Sequence, residues 1–387
     1  MKTKAIIENG FKETEIGLIP EDWQIKEFEE CIDKERISRD IKIPQGKYKK
    51  MGRYPIVDQG VNFIAGYTDD KSKLYSGCLP VIVFGDHTRI FKFINFSFSL
   101  GADGTKLIQP KDSLNPKYFY YYLCSLAIES KGYNRHYKYL KEKFIAFPEK
   151  PEQQKIAFIL SKIQQAIEQQ NRIIEITKEL KKSLIYKLFT KGLHGEEQKE
   201  TDIGLMPKSW DVRKINEFAK IKYGKQKPKI IGQIPVVGSS RIYAWCEKPL
   251  INFPTLIVGR KGNAGAVHLF LEPCWPSDTT FYLEWKSEMV TPKFLYYYMS
   301  INQLSGEHAK TTIPSLQRQD LENYRFPLPN ISEQLDIIKA IDKIDKKISQ
   351  AESKKQTLQD LFKTLLNQLM TGRIRVNNFD FEVKENV

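Results

Sequence analysis

The sequence is poor in the residues that form disulfides or bind metals. It holds five cysteines and five histidines among 387 residues. The cysteines lie far apart without a C-x-x-C pair, and no histidine has metal-ligand spacing to a cysteine or to another histidine. An odd, scattered set of thiols favours a reducing compartment. We therefore expect free thiols, no metal site and a cytoplasmic protein.

Long apolar runs and common catalytic motifs are also missing. No stretch of about 18 apolar residues would cross a membrane, and M-K-T-K-A-I-I-E-N-G-F-K at the start lacks the apolar core of a secretion signal. There is no P-loop, no G-x-G-x-x-G after a strand, no H-E-x-x-H and no G-x-S-x-G. The N-P-K-Y at Asn115–Tyr118 differs from the N-P-P-Y loop of adenine methyltransferases, and we interpret it as a helix start. These absences predict a chain with neither catalytic residues nor a cofactor of its own.

Basic residues outnumber acidic ones. The chain has 61 lysines and arginines against 47 aspartates and glutamates, a formal net charge of +14. This excess favours a polyanionic partner, nucleic acid before a membrane surface. A basic surface can also serve solubility alone. With 41% hydrophobic residues, the chain can build a core in each of two domains of roughly 100–200 residues.

The chain repeats itself. The segment E-I-G-L-I-P-E-D-W at Glu15–Trp23 returns as D-I-G-L-M-P-K-S-W at Asp202–Trp210. Next, P-K-Y-F-Y-Y-Y-L at Pro116–Leu123 returns as P-K-F-L-Y-Y-Y-M at Pro292–Met299. A further block in each half opens on E-Q-x-x-I and continues into a long helical pattern. Blocks in the same order indicate a tandem duplication. Because the sequences between the blocks differ, we expect two modules that do one job on two targets.

Each half ends in a predicted long helix. Apolar residues alternate four and three positions apart, which forms the heptad seam of a coiled coil. The seam residues predicted to pack are Ile156, Leu160, Ile163, Ile167, Leu184, Leu188, Ile337, Ile341, Ile344, Ile348, Leu365 and Leu369. Neither seam is stable when exposed, so the favoured arrangement pairs the two helices antiparallel within the chain. Pairing between two chains of a dimer is the alternative.

Each half opens with a mixed region of strands and helices. Apolar runs predict strands at Leu79–Gly85, Arg89–Ile94, Thr255–Arg260 and Ala266–Leu271. Asn115 followed by Pro116 predicts a helix start, and a second helix is expected from Thr291. The predicted order is a first domain at 1–148, a helix at 149–190, a polar linker at 191–201, a second domain at 202–328, a helix at 329–373 and a tail at 374–387.

Clusters of cations and polar side chains are candidates for DNA contacts. Lysine and arginine bind phosphates, while arginine and asparagine also hydrogen-bond base edges in the major groove. The first-half candidates are Lys47, Lys49, Lys50, Arg53, His87, Arg89, Asn134, Arg135, His136 and Lys138. The second-half candidates are Lys225, Lys227, Arg241, Arg260, Lys261, Asn263, Lys310, Thr311, Thr312, Gln317 and Arg318. Any one of these loops could be ordinary solvated surface, but their occurrence at matching positions in both halves favours DNA binding.

Together these features resemble the specificity (S) subunit of type I restriction–modification systems. The resemblance covers Glu15 to Arg373 and depends on three features. These are the paired openings that share I-G-L-x-P-x-x-W, the divergent inserts, and the repeated E-Q-x-x-I helices that end in L-x-T-x-x-L or L-M-T-G-R. The T-G-x-T-P that is frequent in that family is absent. S-R-D-I-K-I-P at Ser38–Pro44 and Y-G-K-Q-K-P at Tyr223–Pro228 stand in its place.

The resemblance implies an α+β fold with an internal pseudo-twofold repeat. Two mixed α/β target-recognition domains would be separated by two long antiparallel helices that form a coiled-coil spacer. Each domain would read one half of a bipartite site in double-stranded DNA. The helices would dock two methyltransferase (M) subunits and, through them, two restriction/translocase (R) subunits. S-adenosylmethionine, ATP and magnesium would belong to those partners, within a type I restriction endonuclease and adenine DNA methyltransferase. The alternative is a basic coiled-coil scaffold without sequence readout.

Overall fold

The structure is a computed structural model, and it describes residues 10–33, 41–101, 104–130, 132, 134–304, 315–377 and 379. The chain divides into two compact units. The first comprises Met1–Gln169 and Lys354–Val387, and the second comprises Gln170–Ser353. Each unit therefore holds one globular half together with part of each long helix.

The first half contains two sheets, a strand pair and a hairpin. Its strands are β1 (Phe11–Thr14), β2 (Gly17–Pro20), β3 (Gln24–Glu27), β4 (Ile32–Asp33), β5 (Tyr54–Val57), β6 (Gly66–Thr68), β7 (Val81–Gly85), β8 (Phe91–Ile94), β9 (Ser99–Leu100), β10 (Thr105–Pro110) and β11 (Phe144–Phe147). Its helices are α1 (Pro116–Ser125), α2 (Tyr137–Lys141) and the long α3 (Lys150–Lys191). The main sheet has the order β4-β10-β7-β8, and the small sheet has the order β6-β5-β9. Strand β3 pairs with β11, and β1 with β2.

The second half has the same strands in the same order, and it has one additional short α-helix where the first half has a 3₁₀ turn at Phe28–Glu30. Its strands are β12 (Gln198–Thr201), β13 (Gly204–Pro207), β14 (Asp211–Lys214), β15 (Ala219–Tyr223), β16 (Ile234–Val237), β17 (Ile242–Cys246), β18 (Thr255–Gly259), β19 (Val267–Phe270), β20 (Trp275–Pro276), β21 (Thr280–Trp285) and β22 (Arg325–Leu328). Its helices are α4 (Ile215–Phe218), α5 (Pro292–Ile301), α6 (Arg318–Glu322) and α7 (Ile331–Met370).

The strand order of the first half is repeated without change in the second. The main sheet is β15-β21-β18-β19, the small sheet is β17-β16-β20, and β14 pairs with β22. Even the one parallel pairing of the small sheet, β5 with β9, recurs as β16 with β20. The duplication therefore extends through the inserts, where the sequences differ. The pattern of buried residues explains this, because all five positions are buried in both β7 and β18.

The tyrosine-rich repeat forms a packing helix in each half. In α1, the side chain of Asn115 accepts hydrogen bonds from the backbone amides of Lys117 and Tyr118, at 3.0 and 2.9 Å. The hydroxyl of Tyr118 donates to the carbonyl of Ala146 at 3.0 Å, and that of Tyr122 accepts from the amide of Ala146. Each buried hydroxyl has a partner, so these tyrosines pack in the core of the first unit.

The long helices pack antiparallel within each unit. In the second unit, the ammonium of Lys178 lies 2.7 Å from Glu352, and that of Lys181 lies 2.6 Å from Asp345, so residue numbers rise along α3 as they fall along α7. All seam positions of both helices are buried or half-buried. Lys181 lies three residues before Leu184 at a polar position of the same heptad seam, and its ammonium pairs with Asp345. The predicted antiparallel pairing within one chain is confirmed.

Two segments differ from the predicted division. The linker predicted at 191–201 ends in strand β12, which pairs with β13 as β1 pairs with β2. The repeat in fact begins earlier than predicted, because K-E-T at Lys12–Thr14 recurs at Lys199–Thr201. The segment predicted as a tail is packed in part, since Val376 is buried in the core of the first unit.

Candidate nucleic-acid interface

Three loops of the first unit meet at the ends of the two sheets. They are residues 58–64 between β5 and β6, residues 86–90 between β7 and β8, and residues 134–136 before α2; we call them the first loop cluster. The side chain of Gln59 accepts from the backbone amide of His87 at 3.2 Å, and its carbonyl accepts from the hydroxyl of Thr88 at 2.5 Å. Residues far apart in the chain are thereby held in one place.

A buried aspartate joins the second and third of these loops. The carboxylate of Asp86 accepts from the backbone amide of Tyr137 at 2.7 Å, and its carbonyl accepts from the amide of His136 at 2.9 Å. The imidazole Nδ1 of His136 lies 3.0 Å from the same carbonyl. His136, a predicted DNA contact, is only 1% exposed. His136 therefore lies below the surface. Its ring contacts the backbone of Asp86 and so helps to hold the two loops together.

The other predicted residues of this cluster lie at or near the surface. Asn134, Arg135 and Lys138 are exposed, and His87 and Arg89 are half-buried. Arg89 has a φ of 63°, which is uncommon for a residue other than glycine. Its guanidinium Nη1 donates to the carbonyl of Ile128 at 2.8 Å. The β7–β8 turn thus contains a left-handed residue, Arg89, whose side chain lies at the edge of the cluster.

The predicted residues between β4 and β5 lie beside the small sheet. The backbone of Lys49 exchanges two hydrogen bonds with Tyr67 of β6. The ammonium of Lys49 lies 2.8 Å from Asp69, and this hydrogen bond holds the pKa of the Asp69 carboxyl below its usual value. Arg53 contributes its backbone amide to the same carboxylate. The remaining predicted residues of this segment, Lys47 and Lys50, are exposed.

The second unit builds the equivalent cluster around Arg260. The second loop cluster comprises residues 238–241, 260–265, 277–279 and 315–317. The carbonyl of Arg260 accepts from the amide of Leu316 at 2.8 Å, and its guanidinium Nη2 donates to the carbonyl of Asp278 at 2.7 Å. The guanidinium also lies over the rings of Tyr223 and Phe281, at 5.4 and 6.0 Å from their centroids. A stacked, preorganised guanidinium suits recognition of guanine or phosphate.

The remaining predicted residues of the second unit fall into three groups. Those exposed around the cluster are Lys225, Lys227, Arg241, Lys261, Asn263 and Gln317. Arg318 lies 2.7 Å from Glu322 one helical turn away, so its charge is partly balanced within α6. Lys310, Thr311 and Thr312 lie outside the residues that the structure describes.

The clusters offer side chains that can bind phosphates and base edges. Among the described residues, no group of three histidine, cysteine, aspartate or glutamate side chains could hold a metal ion. Over the same part of the chain, no helix is both long and apolar enough to cross a bilayer. Exposed cations and amides on a rigid frame can bind phosphates and base edges.

Sequence reasoning missed the residues that hold the loops in place. Gln59, Asp86 and Lys92 were not among the candidates, although each fixes a loop. For Lys92 the only local signal is its place between Phe91 and Phe93, which puts it on the opposite face of β8. That pattern does not reveal that the face is covered.

Comparison with known proteins identifies the family. The type I restriction modification DNA specificity domain matches residues 20–178 and 207–360, so the chain belongs to this family. The type I restriction enzyme MjaVIII specificity subunit of Methanocaldococcus jannaschii is 25% identical over 97% of this chain and 98% of its own length. The matched regions include both loop clusters.

Solved structures share the fold. The S subunit of a type I restriction–modification system from M. genitalium aligns with a TM-score of 0.62 at 18% identity, covering 94% of this chain and 97% of that one. A chain from a study of complex assembly and conformational transition of the type I system aligns with a TM-score of 0.53 at 15% identity, over 92% and 99% of the two chains. The two mixed α/β domains and the paired helices are thus the architecture of an S subunit.

Proposed function

We propose that this chain reads a two-part sequence in double-stranded DNA as the specificity subunit of a type I restriction–modification complex. One observation carries the proposal. Each unit presents a loop cluster on the same frame of strands, and the exposed side chains differ between the two clusters. Two readers of one design but different surface chemistry are what a site with two unlike halves requires.

Binding would combine phosphate contacts with base contacts. Exposed lysines such as Lys47, Lys50 and Lys227 supply cations for phosphates, a term that is independent of sequence and sensitive to salt. Arg260 is preorganised by its aromatic neighbours and suits a base edge. The chain would do no chemistry itself. S-adenosylmethionine, ATP and magnesium would be held by the partner subunits.

The long helices offer a surface for those partners. On α3, the apolar side chains of Ile173, Ile176 and Leu180 lie on one face and are exposed, with Ile176 69% exposed. Their i, i+3, i+7 spacing matches the anchors of a helix that packs in an apolar groove or against another helix. We assign this face to docking of a methyltransferase subunit. Two such subunits, and through them two restriction/translocase subunits, would complete the complex.

We expect Ile176→Asp to weaken assembly with the methyltransferase subunit. The substitution places a charge on an apolar contact surface but leaves the seam intact, so the chain should still fold. Co-purification of tagged chain with the methyltransferase subunit measures assembly, and Glu175→Lys, a change of charge outside the apolar face, is the control. Undiminished recovery of the complex with Ile176→Asp would show that this face is not the docking surface.

Mapping methylated bases tests the main proposal. The chain and its partner subunits are expressed in cells that lack other methyltransferases, and the modified bases are sequenced. We expect a motif of two short specific parts separated by unread positions. Methylation without a sequence motif, or binding to all DNA with equal salt dependence, would instead favour a scaffold without readout.

A further inference from the structure

A buried lysine in the first main sheet serves neither the helical seam nor any predicted DNA contact. Lys92 in β8 is 3% exposed. Its ammonium donates to the carbonyl of Asp58 at 2.8 Å and to the carbonyl of Asn62 at 2.5 Å, and it lies 3.8 Å from the Asp58 carboxylate. Burial lowers the pKa of this ammonium. Burying a charge is costly unless it is well partnered, so the contacts that Lys92 makes with this loop have to offset that cost.

The loop that Lys92 holds is also fixed from its other side. The carboxylate of Asp58 accepts from the backbone amide of Gly60 at 2.8 Å, which forms a local turn. Gln59 is bound by the β7–β8 turn through His87 and Thr88. The backbone of residues 58–62 is therefore tied to two neighbouring segments of the first unit.

The tip of this fixed loop is exposed and partly apolar. Val61 is 83% exposed, Asn62 is exposed, and Phe63 is about half-exposed. The side chain of Val61, at the tip of this fixed loop, gains little from burial on folding. Its placement makes sense if a binding partner covers it. The cations of the same loop cluster, Arg89 and Arg135, complement a polyanion.

The second unit holds the equivalent loop from the equivalent position with a different residue. Lys92 is opposite Val83 in the first main sheet, and His268 is opposite Ile257 in the second. The Nε2 of His268 lies 3.0 Å from the carbonyl of Ser239, in the loop between β16 and β17. A carbonyl only accepts, so this nitrogen carries the proton. Lys92 and His268 thus hold the equivalent loop in the two units, although the side chains differ.

The exposed chemistry of the two loops differs. The loop of the first unit presents Val61 and Asn62, whereas that of the second presents Arg241. An asparagine amide matches adenine in the major groove, and an apolar side chain matches the methyl group of thymine. Arginine matches guanine.

We infer that the β5–β6 and β16–β17 loops read the bases, with Lys92 and His268 as the positioning residues that hold them. The first loop would specify an A·T pair and the second a G·C pair, each in its own part of the site. The inference rests on the proposed function, since it assigns the readers within that two-part recognition.

Methylated-base mapping with the full complex tests the assignment. Asn62→Ala should reduce the preference for the A·T pair about ten- to hundredfold, and only in one part of the motif. Arg241→Ala should do the same for a guanine in the other part only. Both are surface changes that leave folding intact. The matched control, Leu79→Ala, alters an exposed apolar residue before β7 and should leave the motif unchanged.

The positioning role needs a test that separates it from stability. Lys92→Met should reduce base preference in the same part of the methylated motif that Asn62→Ala changes. Base preference in the other part should be unchanged. Lys92→His, which installs the donor type of the second unit, should restore part of the preference. Lys111→Met, at an exposed lysine after β10, controls for loss of charge. Thermal unfolding is recorded for each, and if Lys92→Met does not fold, the loop-tip variants still decide.

The outcomes are distinguishable. If Asn62→Ala and Arg241→Ala both methylate the wild-type motif with unchanged preferences, the loop assignment is wrong while the two-part motif of the wild type still supports the proposed function. If both parts of the motif change together, the assignment of one loop to one part is overturned. If the wild-type complex has no two-part motif, the proposed function fails and the inference fails with it.

Discussion

Arg375 ties the C-terminal segment to two carboxylates of the first unit. Its guanidinium donates to Glu152 at 2.8 and 2.9 Å and to Asp22 at 2.6 and 2.9 Å. Glu152 is buried at 4% exposure and also accepts the amide of Val376. In the second unit the equivalent glutamate, Glu333, accepts from the indole of Trp210 at 3.0 Å instead. One repeated glutamate thus serves two different partners.

We expect Arg375→Ala to lower the free energy of unfolding by about 2–3 kcal/mol. The change leaves Glu152 buried without its cation, and the value is below that of a fully buried pair because Arg375 is partly exposed. Chemical denaturation measures the loss. Arg373→Ala, at an exposed arginine two positions earlier, should reduce the free energy of unfolding much less. Equal losses of stability for both variants would contradict a stabilising role of the contacts that Arg375 makes.

The same substitution should change the response to acid. The hydrogen bond from Arg375 lowers the pKa of Asp22 below its ordinary value of 3.8. A carboxylate with a lowered folded-state pKa stabilises the fold above the ordinary value, and that contribution is lost as pH falls through the folded-state pKa. Thermal unfolding measured from pH 6 to pH 2 should therefore show a smaller acid loss in Arg375→Ala than in the wild type.

The seam of the long helices carries both apolar and ionic contacts. Ile337 and Ile341 of α7 pack in the core of the second unit with Leu188 of α3. The seam position Lys181 is satisfied by Asp345, which also accepts from the hydroxyl of Tyr297 at 3.0 Å. The heptad seam therefore tolerates this lysine, because α7 supplies the carboxylate of Asp345 and α5 supplies the ring of Tyr297.

We expect Ile341→Asp to be more damaging than Ile344→Asp. Ile341 is fully buried, whereas Ile344 is half-buried and its aspartate could stay in contact with water. The cost of the first change should reach about 3–5 kcal/mol from the lost apolar contacts and the buried charge. Circular dichroism during thermal unfolding compares them, with Lys343→Asp on the exposed face as control. A reversed order would mean that the seam has been assigned in the wrong register.

Each globular half of the molecule begins and ends on a pair of neighbouring strands. Strand β3 opens the first module and β11 closes it, with Ile25 paired with Ala146. In the second module β14 and β22 do the same, with Val212 paired with Pro327. The two ends of each insert are therefore adjacent, so we expect that the module can be replaced without disturbing the helices.

We expect exchange of Ile25–Phe147 for the equivalent segment of a family member with a different site to alter one part of the methylated sequence. The other part and the number of unread positions between them should stay as in the wild type, because contacts to separate base pairs contribute nearly additively. Sequencing of modified bases reads out all three features. A change in both parts together would contradict two independent readers.

The duplication, the helical seam and all four predicted strands could be derived from the amino-acid sequence. The duplication is read from blocks repeated in the same order, the seam from a 3.5-residue periodicity, and the strands from short apolar runs. All three are visible in the chain without knowledge of which segments pack together. The run Thr255–Arg260 became β18 with a single residue fewer, and Asn115 caps α1 as its type and position indicated. The repeat of K-E-T was also readable, and it would have placed β12 outside the linker.

Which polar residues face solvent and which hold loops could be seen only once the chain was folded. His136 was a reasonable DNA contact from its basic surroundings, but it is buried, and its imidazole lies against the carbonyl of Asp86, 50 positions earlier. In the sequence Lys92 resembles any lysine of a strand. In the structure, residues 58–62 cover its ammonium. The physical reason is that the burial of a polar group depends on the segments that pack over it, and those lie tens of residues away in the chain.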